Sequence, residues 1–131
     1  MSGARNRHIR IWPALICALP ILQISVARAD RLPTAVGRCS ETTVKRTGSR
    51  LSGQPDSGSV IEYANGGVQI SYDVIAGIRH SAPGDRVKLC LVSVPKNCPP
   101  GDNRGRVYRA TNLRTDESWQ APDAQHMCGG A

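Results

Sequence analysis

The amino-acid sequence predicts an all-β domain, a small antiparallel sandwich or partly open barrel of about six or seven strands. Across residues 30–131, no stretch repeats apolar side chains at helical spacing over three turns, whereas several stretches alternate apolar and polar side chains. Clusters of Gly, Pro, Asn and Asp separate these stretches, as turns separate strands. The same region holds four cysteines, which indicate a covalent framework around a core with few aromatic residues.

The clearest element is a hairpin over residues 59–74. Two β-rich runs flank Asn65-Gly66-Gly67, and such residues readily adopt the positive φ of a tight hairpin turn. The second arm alternates three apolar and three polar residues, which predicts one buried face and one face in water. These residues are Val68, Ile70 and Tyr72 against Gln69, Ser71 and Asp73.

A third strand is predicted over residues 86–94, after the turn Pro83-Gly84-Asp85. Both of its faces are largely apolar, which favours a central position in the sheet. Residues 42–51 alternate less cleanly and are expected to form an edge strand.

A last hairpin is predicted from residues 106–111 and 117–120, joined through residues 112–116. The remaining residues, 121–131, show no strand pattern, and we expect them to cross the surface to wherever Cys128 is tethered.

The N-terminal residues 1–29 are typical of a cleavable signal peptide. A basic region without acidic residues precedes an apolar run over residues 11–26, and Ala27-Arg28-Ala29 supplies the small residues that signal peptidase requires before Asp30. The sixteen-residue apolar run is interrupted by Pro13 and Pro20 and falls short of the roughly 20 residues that cross a bilayer. We therefore expect one exported domain at residues 30–131, periplasmic or secreted, with no stable membrane anchor after cleavage.

Cleavage changes the charge of the chain. The full sequence has a formal charge of +7, but residues 30–131 carry thirteen Lys and Arg against ten Asp and Glu, which leaves +3. This balance is too mild to indicate a nucleic-acid partner, and none is expected.

Cleavage also reduces five cysteines to an even four, which predicts two disulfides: Cys39, Cys90, Cys98 and Cys128. Three pairings are possible. We favour Cys90 with Cys98, which closes a short loop, and Cys39 with Cys128, which ties the chain ends together. If the third strand instead runs straight through Pro95, Cys90 would pair with Cys39 or Cys128. No C-x-x-C spacing is present, so no metal or other cofactor is expected.

The candidate binding surface is the loop over residues 95–106, which begins at Pro95. Its three prolines and two glycines restrict its conformations, and Cys98 anchors it, so that charged side chains could be displayed with little ordering cost on binding. These side chains are Lys96, Asp102, Arg104 and Arg106. We expect a non-enzymatic module that binds an envelope or extracellular protein, for example an inhibitor that offers Lys96 or Arg104 to an acidic pocket. The alternative for this loop is that Pro and Gly simply end the strands.

Other functions stay open. A small hydrolase or nuclease could use His80 and His126 with Lys88 or Lys96. A second hydrolase set would combine Ser118, Asp123 and His126, although no nucleophile elbow is present in residues 30–131.

Trp119 with Tyr108 could stack on a sugar ring of an envelope glycan, but a lone Trp is more often buried in the core. A structural role at the envelope is a further alternative. On balance the sequence favours a protein that is not an enzyme.

The C-terminal part of the sequence resembles a group of short exported bacterial proteins. The resemblance covers roughly residues 85–131 and rests on the stretch from Cys98 to Arg106, on Thr111-Asn112-Leu113-Arg114-Thr115, on Trp119 and on the ending Gln125-His126-Met127-Cys128-Gly129-Gly130-Ala131. It implies an exported protein, and it carries over no activity and no functional residue.

Overall fold

A computed structural model describes residues 30–130, together with Met1 and Gly3. The described chain forms six antiparallel strands in one sheet and one short helix. In chain order these elements are β1 (Cys39–Gly48), β2 (Ser59–Tyr63), β3 (Val68–Ser71), α1 (Ala76–Arg79), β4 (Arg86–Ser93), β5 (Val107–Asn112) and β6 (Ser118–Pro122). The strand order is β3-β2-β1-β4-β5-β6, and the sheet curls into a half-barrel, which confirms the all-β prediction. Apart from Met1 and Gly3, the predicted signal peptide lies outside the described residues.

Both predicted hairpins are confirmed, because local turn chemistry determines them. Between β2 and β3, Gly66 adopts a φ of +87°, and the amide of Tyr63 donates to the carbonyl of Gly67 at 2.9 Å. Strands β5 and β6 pair from Val107 opposite Pro122 to Thr111 opposite Ser118.

Strand β1 is central, so the prediction of an edge strand was wrong. The N-terminal half of β1 pairs with β4, and its C-terminal half pairs with β2. A shift in register between Val44 and Arg46 bends the strand where it changes partner. Such a bulge breaks the two-residue alternation, which is why the run looked irregular in the sequence.

The core lies on the concave side of the sheet. Among the residues that the structure describes, eleven hydrophobic side chains are buried: Val44, Ile61, Tyr63, Ile78, Val87, Leu89, Leu91, Tyr108, Ala110, Trp119 and Ala121. Strand β4 contributes three of them and lies between β1 and β5, so its predicted central position is confirmed.

The side chains of β3 have the opposite orientation from the one that its apolar residues predict. Gln69 is completely buried, Val68 and Ile70 are half-buried, and Tyr72, just beyond the strand, is 56% exposed. The buried face of this strand therefore carries the polar residue Gln69.

The buried amide of Gln69 joins both ends of the curled sheet. Its Oε1 accepts hydrogen bonds from the Tyr63 hydroxyl at 2.6 Å and from the Trp119 indole at 2.9 Å. Its Nε2 donates to the carbonyls of Tyr108 at 2.7 Å and Ala121 at 3.1 Å. Both polar atoms of the amide are thus satisfied inside the core, and they connect β3 to β5 and β6 where no strand ladder does.

The favoured disulfide pairing was wrong. The bonds are Cys39–Cys90 and Cys98–Cys128. Cys90 lies within β4, which continues to Ser93, so the chain does not reverse in time to bring Cys98 back to it. Cys39 is instead the direct cross-strand neighbour of Cys90, with a Cα–Cα distance of 4.0 Å. Two disulfides suggest an oxidising, non-cytoplasmic compartment.

Candidate binding surface formed by a loop and the C-terminal tail

The predicted binding loop is fastened to the C-terminal tail. We call residues 95–106 and 123–130 together the loop–tail unit. The disulfide Cys98–Cys128 joins its two segments, and the amide of Cys128 donates to the carbonyl of Arg104 at 3.0 Å. Sequence analysis expected a tethered tail but did not pair it with this loop.

Asp102 forms a second connection inside the loop–tail unit. Its carboxylate accepts hydrogen bonds from the Arg104 guanidinium at 2.9 and 2.8 Å and from the amide of Gly129 at 3.0 Å. The hydrogen bonds from Arg104, followed by the one from Gly129, hold the pKa of the Asp102 carboxyl well below its usual range. Asp102 and Arg104 therefore neutralise each other.

Asp123 forms a third connection. Its Oδ1 accepts hydrogen bonds from the amides of Gly105 at 2.7 Å and Arg106 at 3.1 Å. Gly105 is buried with a φ of +101°, and a Cβ built there would lie 2.8 Å from the sulfur of Met127. A glycine is therefore required where the tail crosses the loop.

The surface of the loop–tail unit combines an exposed lysine that has no carboxylate partner in the described chain with apolar side chains. Lys96 is exposed, and no described carboxylate lies within 4 Å of its ammonium group. Met127 is exposed, as are Pro99 and Pro100, and Val94 is exposed just before the loop. Arg106 is half-buried. Of the four charged residues predicted for the loop, Lys96 is thus the one best placed to contact a partner.

Trp119 does not belong to this surface. It is only 7% exposed, packs in the core and donates its indole N–H to Gln69. Its partner in the predicted glycan site, Tyr108, is buried as well. Neither ring is exposed for stacking, so these two residues do not form the glycan site that the sequence suggested.

The two histidines lie at different ends of β6. Nδ1 of His80 lies 3.0 Å from a carboxylate oxygen of Glu117, just before β6 begins, whereas His126 lies in the tail beyond its end. The five residues of β6 extend over ~16 Å, and the structure does not bring these imidazoles together. Lys88 projects from β4 and Lys96 lies in the loop, so neither forms a joint site with both histidines.

Ser118 and Asp123 are separated in the same way, because Ser118 begins β6 and Asp123 follows its last residue. The Ser118 hydroxyl lies 2.8 Å from the Thr111 hydroxyl, and Asp123 binds backbone amides of the loop. The second hydrolase set is therefore not assembled either.

A polar cluster that sequence analysis missed joins the turn before β4 to the turn after β5. Asp85 accepts two hydrogen bonds from the Arg114 guanidinium, at 2.6 and 2.8 Å, and one from the side chain of Asn112 at 2.9 Å. Asn112 is completely buried and also donates to the Ser81 hydroxyl at 2.8 Å. The sequence signal was the Asn112-to-Thr115 segment, whose polar residues were assigned only to a turn.

An open cleft of about 530 Å³ was also not predicted. It lies between the end of β1, the loop over residues 49–58 and α1, with Val74 and Ile78 among its lining residues. Arg79 and Asp56 face each other in its lining, at 3.7 Å. This arrangement leaves both charged groups of the cleft directed at each other.

No protein-family model, curated protein or solved structure matches this chain. Over the described residues, no helix is both long and apolar enough to cross a membrane. Within the same part of the chain, no three His, Cys, Asp or Glu side chains are grouped so that they could hold a metal ion.

Proposed function

We propose that this protein is an exported, non-enzymatic binding domain whose loop–tail unit contacts a protein in the envelope or outside the cell. This proposal is supported by the three connections between loop and tail: the disulfide Cys98–Cys128 and the hydrogen bonds accepted by Asp102 and Asp123. A loop that is ordered before it binds loses less conformational entropy in the complex, so more of its contact energy appears as affinity.

The contacts favour one version of an inhibitor-like loop. Lys96 offers an unpaired ammonium group to an acidic pocket, and Met127 and the prolines of the loop add exposed apolar surface to the same unit. Arg104 has a different role, because its guanidinium is engaged by Asp102 and holds the loop in shape.

The test is capture of a partner from envelope and culture-supernatant fractions by the purified exported protein. We expect Lys96→Ala to weaken capture by about tenfold or more, the typical loss at a central binding residue. Arg31→Ala is the matched control, because it removes the same charge from an exposed position outside the loop–tail unit and should capture like the wild type. Equal capture by wild type and Lys96→Ala would exclude the loop–tail unit as the contact surface.

A further inference from the structure

The outward face of β1, β4, β5 and β6 carries a concentration of positive charge. Exposed Arg86 and Lys88 alternate with buried Val87 and Leu89 along β4, which defines the outward side of the sheet. We call the charged outward side chains of these four strands the basic face. They are Lys45, Arg46, Arg86, Lys88, Arg109 and a single carboxylate, Glu41.

The basic face holds the entire charge surplus of the described domain. Residues 30–130 carry thirteen Lys and Arg against ten Asp and Glu, a surplus of three. The basic face has five cations and one carboxylate, and Glu62 of β2 pairs with Arg46 at its edge. With Glu62 included, this side of the sheet has a surplus of three, so the remaining surface is balanced. Glu41 lies directly opposite Lys88 in the register, but its carboxylate forms its salt bridge with Arg86.

Two of these cations are close neighbours on adjacent strands. Lys88 lies opposite Thr111, and Arg109 is two residues before Thr111 on the same strand. Such diagonal positions are ~7–8 Å apart, still within reach of each other for long side chains. No described carboxylate lies within 4 Å of either side chain. One anionic group placed between Lys88 and Arg109 could therefore contact both cations.

The side chains between the cations indicate which anion fits. The Thr111 and Ser118 hydroxyls lie 2.8 Å apart beside Lys88. The amide of Gln120, turned so that its oxygen faces Arg109, accepts from that guanidinium at 3.0 Å. Hydroxyl and amide groups between cations suit a ligand that combines hydroxyls with carboxylate or sulfate groups.

A nucleic acid fits this face less well. Among the described residues that point outward from these four strands, none is aromatic, so unpaired bases have nothing to stack on. The four strands span ~14 Å, enough for several sugar units of an extended chain. We propose that the basic face binds an acidic polysaccharide outside the cytoplasm, independently of the protein partner of the loop–tail unit.

The test uses two acidic polysaccharides as probes, polygalacturonate and heparin, with dextran as the neutral control. We expect the full exported protein to bind both acidic probes, with affinity that falls by about tenfold or more between roughly 50 and 200 mM NaCl. Lys88→Gln/Arg109→Gln should weaken binding by about tenfold, since each lost ionic contact costs part of the affinity. Lys96→Gln/Arg106→Gln removes the same charge from the loop–tail unit and should change binding less than about twofold.

Three results would overturn the proposal. Equal weakening by the two double variants would show that net charge alone attracts the probes. Failure to bind polygalacturonate at low salt would remove the acidic polysaccharide as ligand. Tighter binding to single-stranded DNA than to either polysaccharide would assign the face to nucleic acid. Lys88→Arg/Arg109→Lys keeps the charges and should restore binding, which separates an effect of charge from a loss of folding.

Discussion

A single buried amide connects the two ends of the curled sheet. The side chain of Gln69 bonds the Tyr63 hydroxyl, the Trp119 indole and two carbonyls, and it is completely buried. Burial also raises the pKa of Tyr63, which keeps its hydroxyl protonated as a donor to this amide. The polar centre of the core is therefore satisfied only while Gln69 is present.

We expect Gln69→Leu to lower the free energy of unfolding by about 2–4 kcal/mol, because it leaves two buried donors without acceptors while conserving most of the volume. Gln120→Leu is the matched control, since Gln120 is exposed on β6, and it should change stability by less than about 0.5 kcal/mol. Denaturant unfolding of both variants measures the difference. Similar midpoints for the two variants would contradict the role of Gln69.

The buried orientation of Gln69 could not be predicted from the sequence. Its neighbours Val68 and Ile70 are apolar, and alternation alone assigns the apolar side of a strand to the core. The opposite orientation depends on β3 curling towards β6, a contact between residues about fifty positions apart in the chain. No local pattern contains that information.

Between elements, the Asp85 cluster connects the turn before β4 to the turn after β5. Hydrogen bonds to the charged carboxylate, first from Arg114, then from the Ala82 amide and Asn112, hold the pKa of Asp85 well below its usual range. A carboxyl whose pKa is lower in the folded state contributes stability that is complete above the unfolded pKa of about 3.9 and is lost as the pH falls towards the folded pKa.

We therefore expect the free energy of unfolding to be level near neutral pH and to fall below about pH 4. Asp85→Asn should destabilise the protein at pH 7 and reduce this acid dependence. Asp116→Asn removes the same charge from an exposed turn position and should leave the profile close to that of the wild type. Urea unfolding between about pH 2 and 7 gives both profiles. An Asp85→Asn profile parallel to the wild-type profile would contradict this assignment.

The elements were predictable to the extent that their signals are local. Asn65-Gly66-Gly67 located one hairpin and the apolar residues of β4 located a central strand, whereas the bulge of β1 concealed its central place. The loop of the candidate site was likewise visible from its prolines and Cys98. Its fastening to the tail was not, because the choice among three cysteine pairings depends on which strands lie side by side.

At the scale of the whole molecule, the two disulfides stabilise different parts of the domain. Cys39–Cys90 joins the two central strands on their outward side, and Cys98–Cys128 converts loop and tail into one unit. The proposed protein-binding surface depends on the second bond, while the basic face lies across the strands that the first bond joins. Both proposed binding surfaces therefore depend on this pair of disulfides.

Peptide mapping of the unreduced exported protein by mass spectrometry tests this claim most directly. Trypsin cleaves after Arg38, Lys88, Lys96 and Arg114, which places each cysteine in its own peptide. The structure predicts one linked pair containing Cys39 and Cys90 and another containing Cys98 and Cys128. A linked pair containing Cys90 and Cys98 would contradict it, because the loop would then be detached from the tail and lose the order on which its proposed binding depends.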